Sequence, residues 1–192
     1  MKAFFKNLEH NIEQAVKKDM KKILKETGSE KIYAVALVTD SDCITLYLAV
    51  NTYEFMEKHD KEYSIDMDLS EEDIKNLKEG SASLTQWLPD EWGYSDDDNS
   101  ELAKISELLY ENSESDEYDD EEYEENQKLF FETVTSAFKH LIEEKVFGEY
   151  SEKITYFISM SDDDRAEEIE NNSAKLLNSP NIYETFLNRY IL

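Results

Sequence analysis

The side chains in this chain that could move a proton, hold a metal or attack a carbon are three histidines, one cysteine and a large number of carboxylates. His10, His59 and His140 stand far apart, and none has a second histidine or Cys43 at a ligand spacing, so the sequence predicts no transition-metal site. The Asp-rich runs invite calcium but fail the EF-hand pattern. Asp96, Asp98 and Ser100 are followed by Glu101 where the turn glycine belongs, and Asp162 and Asp164 by Ala166 where the third ligand belongs. Four glycines make no phosphate loop, there is no Gly-x-Ser-x-Gly elbow, and Cys43 has no histidine at hand to activate it. Carboxylates are so abundant that no single pair of them is informative. The expectation is a protein that is not an enzyme and carries no cofactor and no metal, apart from loose divalent-cation binding to an acidic block.

That block is the main feature of the composition. The chain has 192 residues and a net charge of −26, from 46 acids against 20 bases. Glu79 to Gln127 holds eighteen Asp or Glu and one Lys, Lys104, which leaves −9 for the rest of the chain. Between Glu111 and Glu125 ten of fifteen residues are acidic, and burying them unpaired would cost more than local packing returns, so they belong in water. A field of that sign repels nucleic acid and anionic lipid and attracts basic proteins. The expected partner is therefore a basic protein, with no nucleic acid and no membrane. The contact candidates are Glu111, Glu114, Asp116, Glu117, Tyr118, Asp119, Asp120, Glu121, Glu122 and Tyr123, where tyrosines add rigid area among the charges. A single cysteine fits a reducing compartment, no run reaches the length of a membrane span, and the cytoplasm is the expected location.

The elements that must carry these groups read as α+β: a single domain over 1–192 with a strongly acidic excursion at about 111–125. Lys2 to Glu26 is an amphipathic helix, with Phe5, Leu8, Ile12, Val16, Met20 and Ile23 at spacings of three and four, ended by Gly28. Its outer face carries seven lysines, read as a solvated face that offsets the acidic block. Two runs rich in β-branched residues, 32–39 and 43–50, flank Asp40-Ser41-Asp42 as a hairpin, the first apolar on both faces and so central. A third strand falls at 154–161, with 83–87 as a further candidate. The sheet is small and mainly antiparallel. Helices are expected near 52–58 with Thr52 as cap, 71–79 with Ser70 as cap, 100–110, 123–147, 165–177 and 182–190, with Pro180 stopping the sixth and Phe186, Leu187 and Ile191 pointing inward in the last.

Between them lies the most distinctive local sequence, Trp87-Leu-Pro-Asp-Glu91-Trp92-Gly-Tyr94. Exposed, these rings would form a recognition surface; buried, they would be core with their N–H groups satisfied, and burial is the commoner fate. Glu91 between them needs a donor or the surface.

Taken together, Tyr33-Ala-Val-Ala-Leu, a second strand ending in Asn51-Thr52, the Trp87/Glu91/Trp92/Tyr94 motif, Ile158-Ser-Met-Ser-Asp162 and Ser173-Ala-Lys-Leu-Leu-Asn178-Ser-Pro180 resemble the bacterial domain-of-unknown-function family 4303. The likeness spans about Ile32 to Phe186. It implies a single cytosolic α+β domain without established activity, some of whose members look like immunity proteins near polymorphic toxin and contact-dependent inhibition loci. By the same resemblance Asn51, Thr52, Trp87, Glu91, Trp92, Tyr94, Asp162 and Asn178 are its characteristic positions. The leading expectation is thus an immunity protein that neutralises a cognate basic toxin, for which a nuclease is one candidate, through an acidic surface. The alternatives are a cytosolic domain whose acidic segment is only a solvated or disordered excursion, and an enzyme with a site near Trp87, Glu91 and Trp92.

Overall fold

Ile32–Thr39 (β1) is buried along almost its whole length, as a strand must be when both of its faces and both of its edges are covered. A computed structural model describes residues 2–66, 68, 70, 72, 83, 85–95, 100–114 and 120–189. Around β1 it places the strands Tyr47–Thr52 (β2), Tyr94–Ser95 (β3) and Thr155–Met160 (β4), in the order β3-β2-β1-β4. β1 pairs antiparallel with β2 and parallel with β4, and β2 pairs antiparallel with β3. The helices among the described residues are Lys2–Glu26 (α1), Tyr53–Asp66 (α2), Glu101–Glu114 (α3), Asp120–Glu143 (α4), Ala166–Leu177 (α5) and Pro180–Leu187 (α6). The α+β class with a mainly antiparallel sheet is the one the sequence predicts.

The two faces of the sheet bury different chemistry. On one, α1, α3 and α4 cover Val35, Leu37, Leu48, Val50, Tyr156, Ile158 and Met160 with an aliphatic and Phe-rich core. Phe130, Val134, Phe138 and Leu141 of α4 are all fully or almost fully buried there, making it the principal core helix. On the other face Ala34, Ala36 and Ala49 have side chains small enough for aromatic rings to lie close to the sheet, and Trp92, Phe157 and Phe186 fill the space. A shift of register between Ile32 and Ala34 brings Tyr33 into this second cluster.

Several boundaries differ from the sequence reading, each for a local reason. β2 begins at Tyr47, not at residue 43, so the β1–β2 connection is a seven-residue loop over 40–46. Cys43 takes a left-handed φ of 58°, Ile44 donates to Asp40 Oδ1, and the Leu46 N–H goes to Ser106 Oγ of α3 at 2.9 Å. Those backbone groups are taken by side chains before a ladder can use them. α2 runs to Asp66, beyond the expected 58, and Thr52 does cap it, accepting from Phe55 N–H at 3.1 Å. α4 spans 120–143, not 123–147. Glu121 and Glu122 suit the positive end of the helix dipole, which favours the earlier start. Downstream, Lys145 adopts φ 56° and Val146 N–H returns to Leu141 C=O, so a lysine in the left-handed region ends the helix before the expected residue 147.

The strand expected at 83–87 is not found among the described residues there: Thr85, Gln86 and Trp87 lie in a bend and turn. Pro180 opens α6, and does not only stop the helix before it; Leu187 of that helix is exposed, while Ile191 lies outside the described residues. The helix expected at 71–79 also falls outside them, except for Glu72.

Candidate functional site

Two groups of residues were candidates, and the fold treats them differently. The described part of the acidic block is carried on α3 and α4. Asp19, buried on α1, fixes where α3 starts by accepting the N–H groups of Glu101 at 2.9 Å and Leu102 at 3.0 Å, and Ser100 Oγ caps the same turn by accepting from Ala103. From there α3 carries Glu111 outward and ends at Glu114, and α4 begins at Asp120. Glu111, Glu121, Glu122, Glu124 and Glu125 are exposed. Asp116, Glu117, Tyr118 and Asp119 lie outside the described residues.

Tyr123 is anchored as well as presented. It is 38% exposed, yet its hydroxyl donates to Asp42 Oδ1 at 3.1 Å and accepts from Gln127 Nε2 at 2.9 Å. Burial, followed by the hydrogen bond to Asp42, pushes its pKa up. Gln127 also donates to Ser41 C=O and accepts from Arg165, whose guanidinium makes a two-pronged pair with Asp163. The first turns of α4 are thus clamped against the 40–46 loop.

Three lysines of α1 have partners outside the row Glu111, Glu124 and Glu125. Lys17 pairs with Glu144, Lys18 with Glu101 and Lys22 with Asp19. Among the described side chains no ion pair joins an α1 lysine to Glu111, Glu124 or Glu125. Close by, Phe4, Phe5, Cys43, Leu109, Tyr123, Asn126 and Phe130 line a pocket of about 270 Å³. Cys43 is buried and unpaired in a disulfide, and burial pushes its thiol up to about 12, so it stays protonated and unreactive at neutral pH.

The aromatic motif is held mainly inside. Trp92 is buried, with its indole N–H given to Gln86 C=O at 3.2 Å. Trp87 is half-buried and meets Phe186 edge to face at 5.1 Å between ring centroids. Tyr33 OH also donates to Gln86 C=O and accepts from Asn51 Nδ2. Tyr94 OH donates to Glu30, which also accepts from Thr52 Oγ1 at 2.5 Å, and burial with that carboxylate pushes the phenol up to about 12. Glu91 finds its donor in His59, with Oε2 at 3.0 Å from Nε2, and its carboxylate remains 41% exposed. Tyr47 OH donates to the neighbouring Asp90. Asp162 is exposed, at φ 54° in the turn after β4. Asn178 sits against the edge of β4, far along the chain from the tryptophans.

The residue that organises the motif was missed at the level of sequence. Asp60 in α2 is buried and its Oδ1 accepts from Ser83 Oγ, Thr85 N–H and Thr85 Oγ1, all within 3.2 Å. It holds the chain that enters the tryptophan turn. Its only signal was an acid inside an otherwise ordinary helix, which no spacing rule separates from the exposed acids around it.

A family model described as a domain of unknown function, DUF4303, matches residues 12–179. No curated protein and no solved structure matches the chain. No helix among the described residues is long and apolar enough to cross a membrane.

Proposed function

The chain belongs to the DUF4303 family, and from that premise we propose that it is a non-enzymatic binding protein, an immunity protein that neutralises a basic toxin in the cytoplasm. The observation that carries this reading is the exposed row of Glu111, Glu121, Glu122, Glu124 and Glu125 on adjoining helix ends, set in a chain of net charge −26. A toxin that acts on nucleic acid needs lysines and arginines around its cleft. An anionic protein surface steers the encounter with such a cleft and occupies the place of the phosphates. The pinning of Tyr123 to Asp42 and Gln127 supports the same reading, since a contact residue held in place before binding loses less entropy on association.

The aromatic motif serves the scaffold on this account. Its rings and amides fill the second face of the sheet, and Glu91 is paired with His59 at the surface.

The test uses the purified chain and the basic C-terminal domain encoded by a neighbouring secreted-protein gene. Association should slow steeply between about 0.05 and about 0.3 M salt. Replacing Glu111, Glu121, Glu122, Glu124 and Glu125 by Gln should slow association and flatten that dependence while leaving the circular dichroism spectrum intact. An on-rate indifferent to both salt and these substitutions refutes the acidic-surface mechanism, and absence of binding to the cognate domain refutes the function.

A further inference from the structure

The pairs Glu9–Ser136 and Glu13–His140 advance by four residues on both helices at once, and Lys17–Glu144 continues the step to the residue just past α4, so α1 and α4 run parallel and in register along this seam. Its first two rungs converge. Glu13 Oε1 lies 2.8 Å from His140 Nδ1 and Glu9 Oε1 lies 3.6 Å from the same nitrogen. One ligand atom from each of the three residues falls within 4.8 Å of the other two. A zinc ion with bonds of about 2.0–2.1 Å in tetrahedral geometry sets its ligands roughly 3.3 Å apart, and the two distances to Nδ1 straddle that figure.

We propose that Glu9, Glu13 and His140 form a site for a divalent transition-metal ion of the zinc type. The imidazole nitrogen comes from a second helix, 127 residues beyond Glu13, and separates this cluster from the many carboxylate groups of the surface. Oxygen-only clusters suit calcium and magnesium, whereas one neutral imidazole with two carboxylates favours zinc, cobalt or nickel and cancels the charge of a divalent ion. Ser136 Oγ donates to Glu9 at 2.6 Å and so orients the carboxylate from outside the ligand set, as supporting hydrogen bonds do in metal sites. Glu13 is largely buried and His140 is half exposed, which leaves the remaining coordination position to water. The ion would bridge α1 to α4, tying together the two longest helices of the first core.

The experiment is a calorimetric titration of the purified chain with zinc chloride in excess magnesium, paired with a cobalt titration followed by visible absorption. The expected result is one zinc equivalent that survives magnesium and a cobalt spectrum of tetrahedral intensity. His140→Ala and Glu13→Gln should each weaken zinc binding about tenfold or more. His140→Gln, which keeps a hydrogen-bonding group beside Glu13, provides a second variant should the alanine fail to fold. The variant lacking the five exposed glutamates on α3 and α4 should keep the equivalent. Zinc binding that is absent, abolished by magnesium, or unchanged in the histidine variants overturns the proposal. The outcome is independent of the toxin-binding reading.

Discussion

Asn178 makes both backbone hydrogen bonds that a neighbouring strand would make to Tyr156: its Oδ1 accepts from Tyr156 N–H at 2.9 Å and its Nδ2 donates to Tyr156 C=O at 2.6 Å. Ser173 does the same for Ile158, with Oγ at 2.8 Å from the N–H and 3.3 Å from the C=O. α5 therefore lies along the outer edge of β4 and closes it by side chains, removing the open row of donors and acceptors that makes an edge strand prone to pairing with another chain. Asn178→Ala should cost about 1–3 kcal/mol in urea unfolding, because both groups of Tyr156 are left without a partner. Asn178→Asp keeps the acceptor but sets a carboxylate against the Tyr156 carbonyl, and should fare no better. Wild-type stability in both variants would show that water replaces the amide freely.

Asp60 is a buried carboxylate whose removal should be felt at a distance. Asp60→Ala removes the one carboxylate oxygen that accepts from Ser83 Oγ, Thr85 N–H and Thr85 Oγ1 at a buried site, and should cost about 2–3 kcal/mol. Because the freed segment leads directly into Trp87 and Trp92, the emission of the folded variant should move to longer wavelength. A stability loss with unchanged emission would mean that the tryptophan turn is held by its own packing.

Gly93 is required by contact with a ring. A Cβ at this position would lie 2.3 Å from Phe55 Cδ2 and 2.4 Å from Cγ, closer than any real carbon contact. Gly93→Ala should therefore destabilise by about 1–3 kcal/mol and disturb the stacking of Phe55 on His59. Phe55→Ala should suppress most of that cost in the double variant, a coupling that a backbone effect at Gly93 would not produce.

Acid sensitivity should be traceable in part to Glu101. The hydrogen bonds from Lys104 and then Lys18 lower its pKa from 4.5 to about 2. A carboxyl whose folded pKa is depressed adds stability at all pH values above its unfolded pKa, and that contribution disappears as pH falls through the folded value. The window is thus from about pH 4.5 down to about pH 2. Urea midpoints measured across it should fall less steeply for Glu101→Gln than for the wild type. Parallel curves would remove Glu101 from the account.

Local pattern carried much of the architecture. α1 matches its periodicity over Lys2–Glu26, and β1 its unbroken apolar run over Ile32–Thr39, because a burial period of 3.6 or a two-sided apolar strand is written in neighbouring residues. The segregation of charge into one block and the burial of Trp92 belong to the same class, since each follows from residue type and the cost of hydration. Tertiary structure alone decided which distant groups meet: Asn178 with Tyr156, Asp60 with Thr85, Ser106 with Leu46, and His140 with Glu9 and Glu13. The physical reason is that periodicity records which side of an element leaves water, while the element that covers it, and the polar groups that then share protons across the seam, depend on how the whole chain closes.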